Sequence, residues 1–253
     1  MILVIIIKSE REIELMKKAG LMVSKTHKYL KPFIKAGITT KEIDDLAFDY
    51  IKSLGGRAAC KGYGGFPGAI CISVNDEVVH GIGGKRVLKN GDIVTLDIVV
   101  EYKGYHGDSA WTYEVGEVSS EDKYLLKHTE NALYEGLKMV KPGARLGDVS
   151  YAIMKYAEEH NLGVVRELTG HGIGNEMHEA PDIPNYGKPH TGPILKEGMC
   201  LAIEPMLNLG TRDIYILDDD WTIVTQDGKN SAHFEHTVVV TKDGYYITTP
   251  RLN

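Results

Sequence analysis

Four acids and one histidine stand where they could do joint chemistry: Asp97, Asp108, Glu204, Glu235 and His171. Asp97 lies in Thr95-Leu96-Asp97-Ile98-Val99-Val100-Glu101-Tyr102, an apolar run with strand character. Lys103-Gly104 fits a two-residue hairpin turn, and the return strand from Tyr105 carries Asp108. Pairing Tyr102 with Tyr105 sets Asp97 opposite Ala110. Asp108, two residues from Ala110, then shares the face of Asp97. The two aspartates become diagonal neighbours, roughly 7–8 Å apart at the backbone. Like charges aimed at one place need a proton or a cation between them. Most acids are ordinary solvated charges, but Asp97 and Glu204 read as lying inside apolar strands, where an acid has to be paired, protonated or metal-bound.

The elements around these acids occur twice. A capping-box pattern at Ser9-Glu10-Arg11-Glu12 opens a helix running to about Leu30. A second helix begins near Thr39 or Thr40, with the apolar stripe Ile43, Leu46, Ala47, Tyr50 and Ile51. The same stripe returns 106 residues later as Val149, Ala152, Ile153, Tyr156 and Ala157, behind Gly143 as the first lies behind Gly37. Leu88-Lys89-Asn90-Gly91 is echoed by Leu195-Lys196-Glu197-Gly198, and six residues after each final glycine comes an acid, Asp97 and Glu204. His106-Gly107-Asp108 is echoed by His233-Phe234-Glu235, and His80-Gly81-Ile82-Gly83 by His171-Gly172-Ile173-Gly174. The simplest reading is an α+β duplication in one fold unit, residues 1–253, with pseudo-repeats at about 9–118 and 119–250. A two-fold arrangement would gather four carboxylates at its centre. Two divalent ions would balance them, and ions about 3.5–4 Å apart are a known hydrolytic device. His171, in the glycine-rich stretch Thr169 to Gly174, could add a nitrogen; such a donor set suits Mn, Fe(II), Co or Zn.

Composition bounds the rest. The chain has 253 residues, 43% hydrophobic and 25% charged, with net charge −6, as in a soluble globule that can bury a full core. The acidic balance argues against nucleic acid as the main partner. The apolar run Ile2 to Ile7 lacks the flanks of a signal peptide and is too short to span a bilayer; it reads as a short strand or edge segment. Cys60, Cys71 and Cys200 have no metal-knuckle spacing and read as buried thiols in a reducing cytosol. Neither a G-x-S-x-G elbow nor an H-E-x-x-H helix is present. Asp218-Asp219-Asp220 reads as a solvated turn.

The set Asp97, Asp108, His171, Glu204 and Glu235 resembles the ligand set of the type I methionine aminopeptidases. The motifs carrying it are Thr169-Gly170-His171-Gly172-Ile173-Gly174, Ala202-Ile203-Glu204-Pro205-Met206 and His233-Phe234-Glu235-His236-Thr237. The likeness runs from about Ser9 to Thr249, and the wider superfamily holds prolidases and aminopeptidase P. Three features favour methionine aminopeptidase within it: the core helix starting at Ser9, the stretches Gly62 to Pro67 and Cys71 to Asn75, and only 31 positions from Glu204 to Glu235. The resemblance implies a pita-bread fold, two pseudo-symmetric halves with a curved, mostly antiparallel sheet covered by helices.

The same resemblance implies the chemistry. Asp97 would bind one ion, Asp108 and Glu235 would bridge both, and His171 and Glu204 would bind the other. A metal-bound hydroxide would attack, Glu204 would take its proton, His178 would help hold the oxyanion, and His80 would bond the scissile amide. The methionine pocket would use Cys60, Tyr63, Phe66, Cys71, His80, Met177, His178 and Trp221. Met177 departs from the aromatic or bulky residue expected there, and a flexible thioether can fill that space. Asn75, Glu77 and Ser231 would hold a Na or K ion, with Glu77 standing where an apolar residue is expected. Single histidines are often structural, and the aromatics and cysteines fit plain core packing equally well. The implied function is removal of N-terminal methionine from nascent polypeptides whose second residue is small, by a cytoplasmic enzyme working as a monomer, with the ribosome as a candidate partner and no membrane. The rivals are an X-Pro aminopeptidase or dipeptidase of the same fold, and a metal-free binding relative.

Overall fold

The computed structural model describes residues 4–252. Helix α1 spans Glu10–Leu30, opened by Ser9, whose backbone N–H and hydroxyl both donate to the Glu12 carboxylate. Helix α2 spans Thr40–Ser53, with the equivalent box between Thr39 and Glu42. Two further helices follow, α3 at Ser120–Leu137 and α4 at Leu146–Glu159. On α2 the positions Ile43, Ala47 and Ile51 are buried while Leu46 and Tyr50 are half-buried; on α4 the matching Val149, Ile153 and Ala157 are buried while Ala152 and Tyr156 are half-buried. Of the apolar run expected as a strand, Ile2 and Leu3 lie outside the described residues, and residues 4–9 form no strand. Lys8 makes a single backbone bond there, to the Gly198 carbonyl.

Every strand pair is antiparallel among the described residues. The long hairpin Ile93–Tyr102 and Tyr105–Glu114 carries one four-stranded sheet. Its register sets Tyr102 opposite Tyr105 and Asp97 opposite Ala110, as the turn chemistry requires. Lys103 and Gly104 have φ of 51° and 83°, the two positive angles of a twist-matched hairpin turn. A five-stranded sheet holds Thr169–Gly172, Glu179–Pro184, Cys200–Ile203, His236–Thr241 and Gly244–Ile247. Smaller three-stranded sheets include Met206–Asn208 with Ser231–His233, and Glu77–Val79 with Ile223–Thr225.

Two large apolar cores result. One joins α1 and α2 to the hairpin through residues such as Val23, Ile43, Ile51, Leu96 and Trp111. The other joins α3 and α4 to the later strands through Leu133, Val149, Ile153, Leu201 and Val238. Each fully buried Leu or Ile contributes about 1.5–3 kcal/mol. Helix α1 lies tight against the hairpin because Gly107 has no side chain: a Cβ there would sit 2.5 Å from the Gly20 nitrogen. That contact presses on the backbone next to Asp108. Among the described residues no helix is long and apolar enough to cross a membrane.

The halves meet along a seam where hydroxyls replace backbone partners. Thr237 Oγ1 accepts from the Asp108 N–H at 3.0 Å and donates to the Asp108 carbonyl at 2.8 Å. Thr112 Oγ1 does the same for His233, accepting at 3.0 Å and donating at 3.0 Å. Ser109 donates to the Glu235 carbonyl, and the Glu235 N–H donates to the Ala110 carbonyl. Thr237→Val keeps the shape but strands both backbone groups of Asp108, so urea unfolding should show a loss of about 1–3 kcal/mol. An unchanged midpoint and slope would mean the hydroxyl does not tie the halves.

Candidate active site

Asp97 and Asp108 point the same way from the hairpin because its register is fixed by the Lys103-Gly104 turn. The two glutamates arrive differently. Glu204 does not lie within a strand, as its apolar setting suggested; it follows Cys200–Ile203 at a break before Met206–Asn208. Pro205 has no N–H to continue the ladder, so the chain passes from the five-stranded sheet to its three-stranded neighbour there. Glu235 sits at a similar break, between Ser231–His233 and His236–Thr241. The Glu204 backbone is pinned by Asn185, whose amide donates to its carbonyl at 3.0 Å.

All four acids and His171 line one cavity with about 210 Å³ of space. Ligand atoms of Asp108, His171 and Glu235 lie within 4.8 Å of one another. His171 Nε2 is 3.8 Å from Asp108 and 3.5 Å from Glu204. Its other nitrogen, Nδ1, lies 2.9 Å from the Gly172 carbonyl, which holds the proton on that side and leaves the Nε2 lone pair facing the acids. Burial pushes Asp97 up to about 6 and drives Asp108, Glu204 and Glu235 well above the carboxylate range; repulsion from the neighbouring acids adds to this for Asp108 and Glu235. Burial lowers His171 to about 3, so it is neutral at neutral pH. Buried oxygens of Asp97, Asp108 and Glu235 have no hydrogen-bond partner. Unpartnered carboxylate oxygens facing a neutral imidazole across a shared space are the donor set of a divalent cation, and these residues fit one.

The far end of the cavity is apolar. Cys60, Phe66, Cys71, Val99 and Met177 pack together, with Trp221 half-buried against them. Trp221 meets Phe66 edge-on, ring centres 5.2 Å apart. The exposed turn Asp218-Asp219-Asp220 has a part in this: Asp219 accepts from the Trp221 and Thr222 N–H groups and so sets the indole. Tyr63 stands at the rim, its hydroxyl 2.8 Å from His178 Nδ1. His178 crosses His171 with ring centres 4.3 Å apart. His80 lines the same space with φ of 60°, a left-handed backbone, and the next residue lies tight against Ile72, where a Cβ on Gly81 would be 2.2 Å from the Ile72 carbonyl oxygen. Burial lowers His80 to about 4 and lowers His178 as well, so both rings are neutral.

The structure thus brings together every residue expected for the metal and methionine sites. Asn75, Glu77 and Ser231 lie apart from that cavity. Asn75 and Ser231 touch, the Ser231 N–H donating to the Asn75 carbonyl at 2.9 Å, while Glu77 pairs with Arg86 at 2.7 Å and accepts from the Val74 N–H. One titratable cavity residue received no role in the sequence reading. His233 is buried, neither ring nitrogen has a hydrogen-bond partner, and Nε2 is 3.3 Å from Glu204. The signal was there: residues two apart in extended chain share a face, so His233 belongs with Glu235.

Burial-raised acids must shed protons to take a cation. Calorimetry of divalent-ion binding in buffers of different ionisation heat should therefore show proton release that is larger at about pH 6 than at about pH 8. The sign follows from Asp97, which still holds its proton part of the time near 6 and almost never at 8. Equal release at both values would mean the acids are not jointly buried.

Comparison with known proteins agrees with this geometry. Residues 14–242 match metallopeptidase family M24. The chain is 55% identical to methionine aminopeptidase 1 of Bacillus subtilis, over 97% of this chain and 99% of that protein. Its structure superimposes on the crystal structure of methionine aminopeptidase from Rickettsia prowazekii with a TM-score of 0.96 at 44% identity, covering 98% of this chain and 100% of that one. A prolidase from Pyrococcus furiosus shares the fold alone, with a TM-score of 0.81 at 23% identity over 98% of this chain and 66% of that one. The architecture is the pita-bread fold, and the chain belongs to metallopeptidase family M24, among its methionine aminopeptidases.

Proposed function

We propose that this chain is a metal-dependent aminopeptidase that removes N-terminal methionine from nascent polypeptides whose second residue is small. The observation that carries the reading is one cavity with a cation-ready donor set at one end and an apolar slot at the other. Asp97, Asp108, His171, Glu204 and Glu235 would hold two divalent ions of the Co, Mn, Fe(II) or Zn kind. Such a pair supplies Lewis-acid polarisation and a water acidic enough to ionise at neutral pH.

The protein's own groups do the rest. Glu204 accepts the proton of the attacking water. His233 lies beside it, Nε2 3.3 Å from the carboxylate. Tyr63, by donating to His178 Nδ1, leaves the His178 proton on Nε2, where it can stabilise the oxyanion. His80, neutral at working pH, holds the scissile amide nitrogen without adding charge. Cys60, Phe66, Cys71, Met177 and Trp221 take the methionine side chain, whose burial is worth about 1.5–3 kcal/mol. Sulfur contacts with the two aromatic rings add to that.

The two pseudo-repeats act as one catalytic domain, because acids from both line one cavity. That cavity is complete within a single chain, which supports a monomer. Three buried thiols fit the reducing cytoplasm. A Na or K ion near Asn75, Glu77 and Ser231 belongs to the same reading and is supported by the meeting of the Asn75 and Ser231 segments. An X-Pro peptidase is the less favoured activity, since the prolidase likeness is confined to the fold.

Met-Ala and Met-Gly peptides should be cleaved and Ala-Pro peptides left intact, with activity lost on chelation and restored by added divalent ions. Activity that survives chelation, or a preference for Ala-Pro, would overturn the reading. His178→Ala should lower kcat by about 10²–10³ while the bound-metal stoichiometry stays the same. An unaltered kcat would remove His178 from the oxyanion site.

A further inference from the structure

A lysine outside the cavity lining holds the segment that shapes it. Lys8 Nζ pairs with the Glu179 carboxylate, and both side chains are buried, at 2% and 6% exposure. The lysine also donates to the Ile6 carbonyl at 3.3 Å. The second Glu179 oxygen accepts from the Glu176 N–H at 3.2 Å. Glu179 is therefore clamped at both oxygens, one by the chain before α1 and one by its own loop. That loop, residues 173–178, carries Met177 in the apolar slot and His178 beside His171.

The neighbours leave the loop little freedom elsewhere. The Lys8 and Ile173 N–H groups donate to the carbonyls of Gly198 and Cys200, so arm and loop share one anchor. Gly174 sits against the lysine stem: a Cβ there would lie 2.2 Å from Lys8 Cε and 2.7 Å from Glu179 Oε1. On its other side, the His106 N–H donates to the Gly174 carbonyl at 2.9 Å. A buried ion pair returns little net stability, because desolvation offsets most of its attraction; what it does supply is a fixed geometry.

We propose that Lys8 is a positioning residue for the reaction: through Glu179 it fixes the 173–178 loop, and with it Met177 and His178. The inference rests on the proposed peptidase function for its kinetic consequence, but not for its structural one. The informative variant is Lys8→Met/Glu179→Gln. Both charges are removed together, so no buried charge is stranded, and the amide oxygen of the new side chain can still accept from the Glu176 N–H.

The double variant should melt within a few degrees of the wild type and bind divalent ions within about twofold of its affinity, since no ligand residue is touched. Its kcat on a Met-Ala-Ser peptide should fall about tenfold or more, with a smaller change in KM, because a misplaced oxyanion group weakens the transition state. Amide exchange in residues 173–178 should quicken about tenfold or more, while exchange in α3 stays as it was. Unchanged exchange in 173–178 overturns the proposal whatever the enzyme cleaves. Faster exchange with undiminished kcat, in an enzyme that cleaves Met-Ala-Ser, overturns the catalytic consequence. A wild type that fails to cleave the peptide counts against the peptidase reading, and the exchange result still decides the positioning role.

Discussion

Four carboxylates aimed into one water-poor space are the constraint around which this molecule is organised. Burial alone drives Asp97, Asp108, Glu204 and Glu235 toward their protonated forms, and their mutual repulsion pushes Asp108 and Glu235 further. Nothing in a hydrophobic core would tolerate that unless the cluster were meant for a cation. The rest of the fold is the apparatus that holds the acids together at that cost. A tight turn sets one pair, and proline-marked or irregular strand breaks set the other. Glycines 20 and 107 let a helix press on the hairpin behind them.

Much of this was legible in the order of residues. The Lys103-Gly104 turn dictates a register, and that register alone puts Asp97 and Asp108 on one face. The α2 and α4 stripes bury matching positions because their periodicity is the same and each meets one sheet. Legibility failed where a residue's role depends on distant chain. Glu204 looked like a strand residue because its neighbours are apolar, yet Pro205 ends the ladder beside it. His233 was named only as part of a repeat and a motif, and received no role of its own; its shared face with Glu235 is what marks it. Lys8 and Glu179 are separated by most of the molecule, and no local pattern announces a pair of that kind. The N-terminal run has the composition of a strand but, in residues 4–9, finds no ladder to join.

The division of labour within the cavity follows from polarity. Its donor-rich end gains affinity for a cation because the acids have no other partner. Its apolar end gains selectivity by size and polarisability, with sulfur and aromatic atoms gathered around one slot. His80 and His178 line the same cavity, kept neutral by burial, so they add no charge beside the carboxylates.

The hydroxyl seam has a consequence for how such a chain comes into being. Thr112 and Asp108 leave the ribosome well before their partners His233 and Thr237, which lie more than a hundred residues later. Until then the first half carries a pair of acids with no counter-charge, and the Asp108 N–H, the Asp108 carbonyl and the Ala110 carbonyl have no mate. Pairings of such long sequence separation close slowly, because the loop entropy must be lost before the contact forms. The newborn chain therefore passes through a stage in which its first half has an incomplete edge, and the cavity that both halves line is the last part of it to exist.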